Sequence, residues 1–260
     1  MAELGTLERA LRARRDERRK LLVPYFTGGL PGWLDHVHAA VAAGSDAIEV
    51  GIPFSDPVMD GPVIQHASQQ ALAAGATPAS ILDELRHAEV GVPVVAMTYV
   101  NLVFRMGARR AVAELTDAGV SGVILPDLPL EEQGTWRAAS AGSDVATVQL
   151  ASPISSDERL AELTSASAGY VYGVSLLGIT GERASLGELA GSLASRLKAV
   201  TDLPVLMGFG VATPEVAAEI AAVADGVIVG SAVMRRILDG APPDDVGAFL
   251  GSLRSALDAL

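Results

Sequence analysis

Eight short apolar runs recur along the chain, and each is followed by enough residues for a helix and two loops. They occupy residues 21–26, 47–52, 93–100, 122–127, 145–151, 170–175, 204–210 and 226–232. Runs that are apolar almost throughout are typical of parallel strands covered on both faces. Eight repeats of one βα unit predict an α/β protein with a (β/α)₈ barrel, the TIM barrel.

An open, doubly wound parallel sheet is the alternative fold. Such a sheet usually carries a glycine-rich dinucleotide fingerprint after its first strand, whereas the turn here reads TGGLPG (27–32). The barrel is therefore favoured. No low-complexity linker divides the chain, so we expect residues 1–260 to form a single barrel domain.

Two additions to the eight units are expected. Before the first strand, the spacing of Leu4, Leu7 and Leu11 predicts an extra N-terminal amphipathic helix with these side chains on its inner stripe. The second βα connection, residues 53–92, is long and predicts an extended loop with structure of its own. Pro53 and Pro57 stiffen the start of that loop.

Composition excludes several classes of protein. The chain has 260 residues, a formal net charge of −12 and no cysteine, which rules out disulfide scaffolds, zinc–thiolate sites, iron–sulfur clusters and thiol nucleophiles. A cysteine-free chain fits a reducing compartment, and we expect the cytoplasm. No signal-peptide core, membrane-spanning run or basic stripe is found, so neither a membrane nor nucleic acid is an expected partner.

The active site of such a barrel lies at the carboxyl ends of the strands. Only two lysines exist, Lys20 and Lys198, and neither is expected there, which excludes a Schiff-base mechanism. The four histidines fall in predicted helices without metal-ligand spacing, so no metal is expected. The polar candidates at strand ends are Tyr25, Thr27, Glu49, Asp60, Tyr99, Asn101, Asp127, Gln149, Tyr172 and Ser231.

Glu49 is the most unusual candidate because it lies inside the apolar run AIEVGI. A carboxyl group in such a dry position has a raised pKa and can give and take a proton near neutral pH. A structural carboxylate paired with an arginine is the alternative, but no arginine follows a strand end. Asp60 lies in the proline-stiffened loop and could face Glu49 across the barrel mouth, although a loop aspartate can equally be a turn former.

A second pattern predicts an anion site. GFG (208–210) is followed by a helix start at Thr213-Pro214, and GS (230–231) precedes another short helix. Backbone N–H groups and helix N-termini after the seventh and eighth strands are the usual phosphate site of these barrels. The glycine-containing segment LLGITGER (176–183) could close over that site.

The segment EVGIPFSDPVMDGPVIQ (49–65) resembles the tryptophan synthase alpha subunit family. The resemblance extends over VPYFTGG (23–29), MTYVNLVF (97–104), LPDLPLEE (125–132), GITG (178–181), GFGV (208–211) and GSA (230–232). It implies retro-aldol cleavage of indole-3-glycerol phosphate to indole and glyceraldehyde 3-phosphate. Glu49 would be the acid–base group and Asp60 would stabilise charge at the indole nitrogen. The substrate would contact Tyr99, Tyr172, Thr180, Gly181, Phe209, Gly210, Gly230 and Ser231.

The resemblance also implies a partner. The alpha chain would pass indole to a beta subunit in a hetero-oligomer of two alpha and two beta chains, with pyridoxal phosphate bound only by the beta subunit and no cofactor on this chain. The family usually has G-D-P after the first strand, whereas this chain has Gly29-Leu30-Pro31. A stand-alone lyase that releases indole and a mainly regulatory barrel subunit therefore stay open as alternatives, while an indole-forming synthase would want a strand-end lysine that this chain lacks.

Overall fold

A computed structural model of the protein describes residues 4–174, 186–208 and 210–260. Within these ranges the strands are β1 Leu21–Thr27, β2 Ile48–Gly51, β3 Val94–Met97, β4 Val120–Ile124, β5 Ala146–Thr147, β6 Gln149–Ala151, β7 Val171–Val174, β8 Val205–Gly208 and β9 Gly226–Val229. The helices are α1 Thr6–Asp16, α2 Trp33–Ala42, α3 Pro62–Ala73, α4 Pro78–His87, α5 Val100–Met106, α6 Ala108–Asp117, α7 Gly134–Ser140, α8 Asp157–Ala166, α9 Leu186–Lys198, α10 Pro214–Ala221, α11 Ser231–Leu238 and α12 Pro243–Asp258, with a 3-10 turn at Leu130–Glu132.

The strands pair in parallel in the order β5-β4-β3-β2-β1-β9-β8-β7-β6. The two ends of this order, β5 and β6, are consecutive in the chain and are separated only by Val148. The backbone N–H of Val148 donates to the Val123 carbonyl at 2.9 Å. The fifth predicted run is thus one strand divided in two, and the predicted (β/α)₈ barrel is confirmed.

Helix α1 covers the end of the barrel where the strands begin. Its first N–H, from Thr6, bonds Asp144 Oδ1 at 2.8 Å, and Arg15 Nη1 bonds the Asp202 carbonyl at 2.6 Å. Leu7 and Leu11 are fully buried in the barrel interior. The expected inner stripe is therefore correct for these two leucines, but it is wrong for Leu4, which is 44% exposed because the helix begins only at Thr6.

Two buried aspartates tie the amino ends of neighbouring strands together. Asp46 exchanges backbone and side-chain hydrogen bonds of 2.9 Å with Leu22, and Asp225 does the same with Val205. Both carboxylates also bind cations, Asp46 with Arg254 at 3.2 Å among others. These bonds stabilise the end of the barrel where the strands begin.

The second βα connection contains two helices, α3 and α4, as its length led us to expect. Helix α3 begins with Pro62 at its first turn, so the stretch between β2 and this proline forms a loop over the carboxyl ends of the strands. The Asp60 carbonyl accepts a hydrogen bond from Gln65 Nε2 at 2.9 Å, which anchors the end of the loop to α3. Across the described ranges, none of the helices has both the length and the apolar character needed to cross a bilayer.

Candidate active site

A cavity of about 850 Å³ opens at the carboxyl ends of the strands. Its lining combines two carboxyl groups, two phenols, a set of apolar side chains and several glycines. The lining includes Tyr25, Glu49, Asp60, Met97, Leu150, Tyr172, Gly208, Gly210, Ile228, Gly230, Ser231, Arg235 and Arg236. Because β-strand side chains alternate between faces, these strand residues share the inner face of the barrel.

Glu49 lies at the base of this cavity. It stands in register with Tyr25 of β1 and Val95 of β3, and only 1% of its surface is exposed. Burial, followed by the charge of Asp60, raises the pKa of Glu49 to about 8. Among the described residues, no ion pair involves this carboxyl group, and its Oε2 atom has no hydrogen-bond partner. Within that part of the chain, the alternative of a structural carboxylate paired with an arginine is not observed.

Asp60 is held in place by a hydrogen bond from another βα loop. The Tyr99 hydroxyl donates to Asp60 Oδ2 at 3.0 Å and accepts from the Met59 N–H at 3.0 Å. Burial raises the pKa of Asp60 to about 6, and the bond from Tyr99 opposes that rise. At neutral pH Asp60 is therefore mostly ionised while Glu49 is mostly protonated.

Two tyrosines form part of the cavity wall because glycines leave room for their rings. A Cβ atom at Gly51 would lie 1.8 Å from the Tyr25 hydroxyl, and one at Gly208 would lie 2.5 Å from Tyr172 Cε2. Glycine inside a strand often marks such a close approach. Burial and the charge of Glu49 raise the pKa of Tyr172, so its hydroxyl stays protonated.

The predicted anion site lies in the same cavity as the carboxyl groups. Gly210 has a φ of +66°, a left-handed conformation that favours glycine. Gly230 is the N-cap residue of α11 and Ser231 is its first residue, so both face the unpaired N–H groups of that helix. The predicted contacts Thr180, Gly181 and Phe209 lie outside the described residues.

Three other strand-end candidates have hydrogen-bond partners within the fold. Asp127 Oδ1 accepts from the Val100 N–H at 2.9 Å at the start of α5, and Gln149 exchanges two amide hydrogen bonds of 3.0 Å with Gln133. Thr27 is buried and its hydroxyl bonds Tyr25 at 3.4 Å. These three residues hold loops and helices in place around the cavity. A fourth candidate, Asn101, lies exposed on α5.

Sequence reasoning missed part of the lining. Met97, Leu150 and Ile228 form an apolar wall, and strand alternation in phase with Glu49 could have identified them. Arg235 and Arg236 also line the cavity, because α11 brings its first turns to the mouth. The absence of arginine from the strand ends therefore did not exclude arginine from the site.

The lysines and histidines lie elsewhere. Lys198 pairs with Asp225 at 2.6 Å and Lys20 bonds the Ala224 carbonyl at 3.0 Å, both at the amino ends of the strands. His36 is buried in α2 and His66 is exposed on α3. Among the described residues, no group of three histidine, aspartate or glutamate side chains is placed to hold a metal.

The sequence and the fold were compared with those of known proteins. The sequence model of the family described as tryptophan synthase alpha chain matches residues 11–246. The chain is 45% identical to the tryptophan synthase alpha chain of Streptomyces coelicolor, over 97% of this chain and 94% of the relative. It is 43% identical to that of Thermobifida fusca, over 93% and 92%.

Solved structures are similar over nearly their whole length. The tryptophan synthase subunit alpha of Legionella pneumophila superposes with a TM-score of 0.91 at 35% identity, covering 99% of this chain and 100% of that one. A chain of tryptophan synthase from M. tuberculosis superposes with a TM-score of 0.88 at 37% identity, covering 98% and 99%. The similarity thus extends over nearly the whole length of both chains.

Proposed function

The chain belongs to the tryptophan synthase alpha chain family, and we propose that Glu49 and Asp60 together carry out its reaction. That reaction, a step of tryptophan biosynthesis, is the retro-aldol cleavage of indole-3-glycerol phosphate to indole and glyceraldehyde 3-phosphate, so the chain is a carbon–carbon lyase. One observation carries the proposal: two carboxyl groups with pKa values raised to about 8 and about 6 share one cavity with an apolar wall and a glycine-lined end.

In the proposed mechanism, Glu49 starts protonated and gives its proton to C3 of the indole ring. The resulting Glu49 carboxylate takes the proton of the hydroxyl group next to the ring, the carbon–carbon bond breaks, and the aldehyde forms. The bonding electrons return to the ring, so indole leaves and Glu49 is protonated again. A pKa near neutrality suits a group that must act as both acid and base.

Asp60 has a different role in this proposal. Protonation of C3 places positive charge on the indole nitrogen, and an ionised carboxylate in a dry site stabilises that charge more strongly than water would. Its lower pKa keeps Asp60 ionised while Glu49 holds a proton. Tyr99 orients this carboxylate through the 3.0 Å hydrogen bond, and its contact with the indole ring is proposed on the family resemblance alone.

The remaining binding contacts are proposed from position. The phosphate group would accept hydrogen bonds at Gly210, Gly230 and Ser231, where N–H groups and the N-terminal dipole of α11 favour an anion. Tyr172 would contact the substrate beside Glu49. Thr180, Gly181 and Phe209 are proposed contacts on the family resemblance alone.

The chain itself is proposed to need no cofactor, since the two carboxyl groups supply the acid–base chemistry. Indole would pass to a tryptophan synthase beta subunit carrying pyridoxal phosphate, in a complex of two alpha and two beta chains. The side chains of Val58, Met59, Phe104 and Ile154 are exposed and follow the carboxyl ends of strands, where such a partner would cover them. We also propose that residues 1–260 act as one domain and that the reaction takes place in the cytoplasm.

An indole-release assay tests the function. Purified protein is given indole-3-glycerol phosphate with and without a beta subunit, and indole is followed by chromatography. We expect cleavage that rises when the beta subunit is added. Rapid cleavage that does not change when the beta subunit is added would indicate a stand-alone lyase. Stimulation of the beta subunit without cleavage of indole-3-glycerol phosphate would indicate a regulatory subunit. No indole under either condition would contradict the lyase assignment.

A further inference from the structure

Helix α11 brings two adjacent arginines to the cavity, and only one of them is already engaged. The Arg236 guanidinium lies 3.5 Å from the centroid of the Phe249 ring, and its Nη1 donates to the Ala232 carbonyl at 2.8 Å. Arg235 makes no hydrogen bond or ion pair anywhere in the described parts of the chain, and it is exposed toward solvent. Arg235 is therefore an available cation at the mouth of the site.

The position of Arg235 directs it to the glycine-lined end of the cavity. It follows Ser231, the first residue of α11, by four residues, so both lie on one face of the helix. Helical side chains tilt toward the helix N-terminus and cover the preceding turn. By this rule we expect the Arg235 side chain on the side of the first turn of α11, and Gly230, Ser231 and Arg235 all line the cavity.

The negative charge of the protein opposes the binding of an anionic ligand, and a cation at the site would offset this repulsion. The chain has a formal net charge of −12, and the ionised Asp60 adds negative charge inside the cavity. Backbone dipoles at one helix end amount to about half a unit charge. Of the described residues that line the cavity, only Arg235 and Arg236 are cationic.

We propose that Arg235 binds the phosphate group of the substrate directly and sets the preference of the site for phosphorylated over unphosphorylated ligands. The proposal rests on the function proposed above. Guanidinium groups match phosphate geometry through paired N–H donors. The charge of Arg235 also favours the approach of an anion to a negatively charged protein.

Three variants test this role in the full chain. Arg235→Gln removes the positive charge, and Arg235→Lys keeps the charge but lacks the paired N–H donors of a guanidinium group. The control, Arg110→Gln, removes one exposed positive charge from α6, outside the site. We expect Arg235→Gln to raise KM for indole-3-glycerol phosphate about tenfold with little change in kcat, as for loss of one charge-assisted hydrogen bond. Arg235→Lys should recover part of the loss, and Arg110→Gln should leave KM unchanged.

A binding measurement separates this inference from the lyase assignment. Calorimetry with inorganic phosphate, glycerol phosphate and indole needs no turnover. Arg235→Gln should weaken both phosphate ligands about tenfold and leave indole binding unchanged. Equal phosphate affinity in Arg235→Gln and the parent protein would overturn the inference even if the parent cleaves substrate. An equal loss of phosphate affinity in Arg110→Gln would also overturn the inference, because the loss would then follow from the net charge of the protein and not from the position of Arg235.

Discussion

The hydroxyl of Tyr99 donates a 3.0 Å hydrogen bond to Asp60 Oδ2, and the bond joins two different βα loops. Tyr99 is the N-cap residue of α5, after β3, while Asp60 follows β2. The Phe54 ring stacks on the Tyr99 ring with centroids 5.1 Å apart. This stacking leaves Phe54 half-buried, and Val58 and Met59 are the exposed large apolar residues of the loop.

The bond between these two residues predicts a shift in the pH profile. It stabilises the Asp60 carboxylate and so opposes the rise in its pKa. Tyr99→Phe should raise that pKa above about 6 and move the ascending limb of kcat/KM to higher pH. Tyr172→Phe removes a phenol from the same cavity without a bond to Asp60, so its ascending limb should not move. Coincident limbs in Tyr99→Phe and the parent would refute the role given to Tyr99.

Glu49→Gln should lower kcat by about 10²–10⁴-fold while substrate still binds, because the amide keeps the shape and loses the transferable proton. Retention of more than about a tenth of the activity would contradict the assignment.

The same substitution has a pH-dependent effect on stability. The pKa of Glu49 is raised from 4.5 to about 8, so between these values the unfolded chain binds fewer protons than the folded one. Stability then falls as pH rises through this range. The gain in Tm of Glu49→Gln over the parent should therefore be larger at pH 8 than at pH 5. Glu219→Gln, at an exposed position of α10, is the control and should show no such difference.

Gly230→Asp should abolish stabilisation by phosphate without unfolding the protein. Gly230 has a φ of −100°, and a Cβ there would lie 3.7 Å from the nearest atom, so a side chain fits. Aspartate is a favourable N-cap residue, and its carboxylate would occupy the anion position itself. Millimolar phosphate should raise the Tm of the parent and of Gly230→Ala, but not that of Gly230→Asp. An equal shift in all three proteins would exclude phosphate binding at α11.

Val58→Ser should weaken the response to a beta subunit. Val58 is 75% exposed in the loop that carries Asp60, and burying it under a partner would contribute about 1 kcal/mol, a roughly fivefold effect on affinity. Val200→Ser changes an exposed valine next to α9, at the opposite end of the barrel, and should have no effect. The lyase rate of each variant and of the parent is measured as beta subunit is added. If Val58→Ser and the parent give the same titration curve, Val58 is not part of the interface.

The amino-acid sequence by itself determined the barrel and the dry position of Glu49, and it left open whether that side chain points into the barrel or into the helix layer. Repeated apolar runs separated by helices are typical of a parallel sheet covered on both faces. The alternation of side chains along each strand decides which of them share a face. The sequence also predicted the helix that follows Gly230-Ser231, because helix starts carry local signals.

Only the tertiary structure decided which of these residues meet. The division of the fifth strand at Val148, the bond from Tyr99 to Asp60 and the difference between Arg235 and Arg236 all depend on contacts between segments distant in the chain. Local patterns define the element and the face of a residue. Barrel closure and helix packing define its neighbours, and with them the pKa values of Glu49 and Asp60.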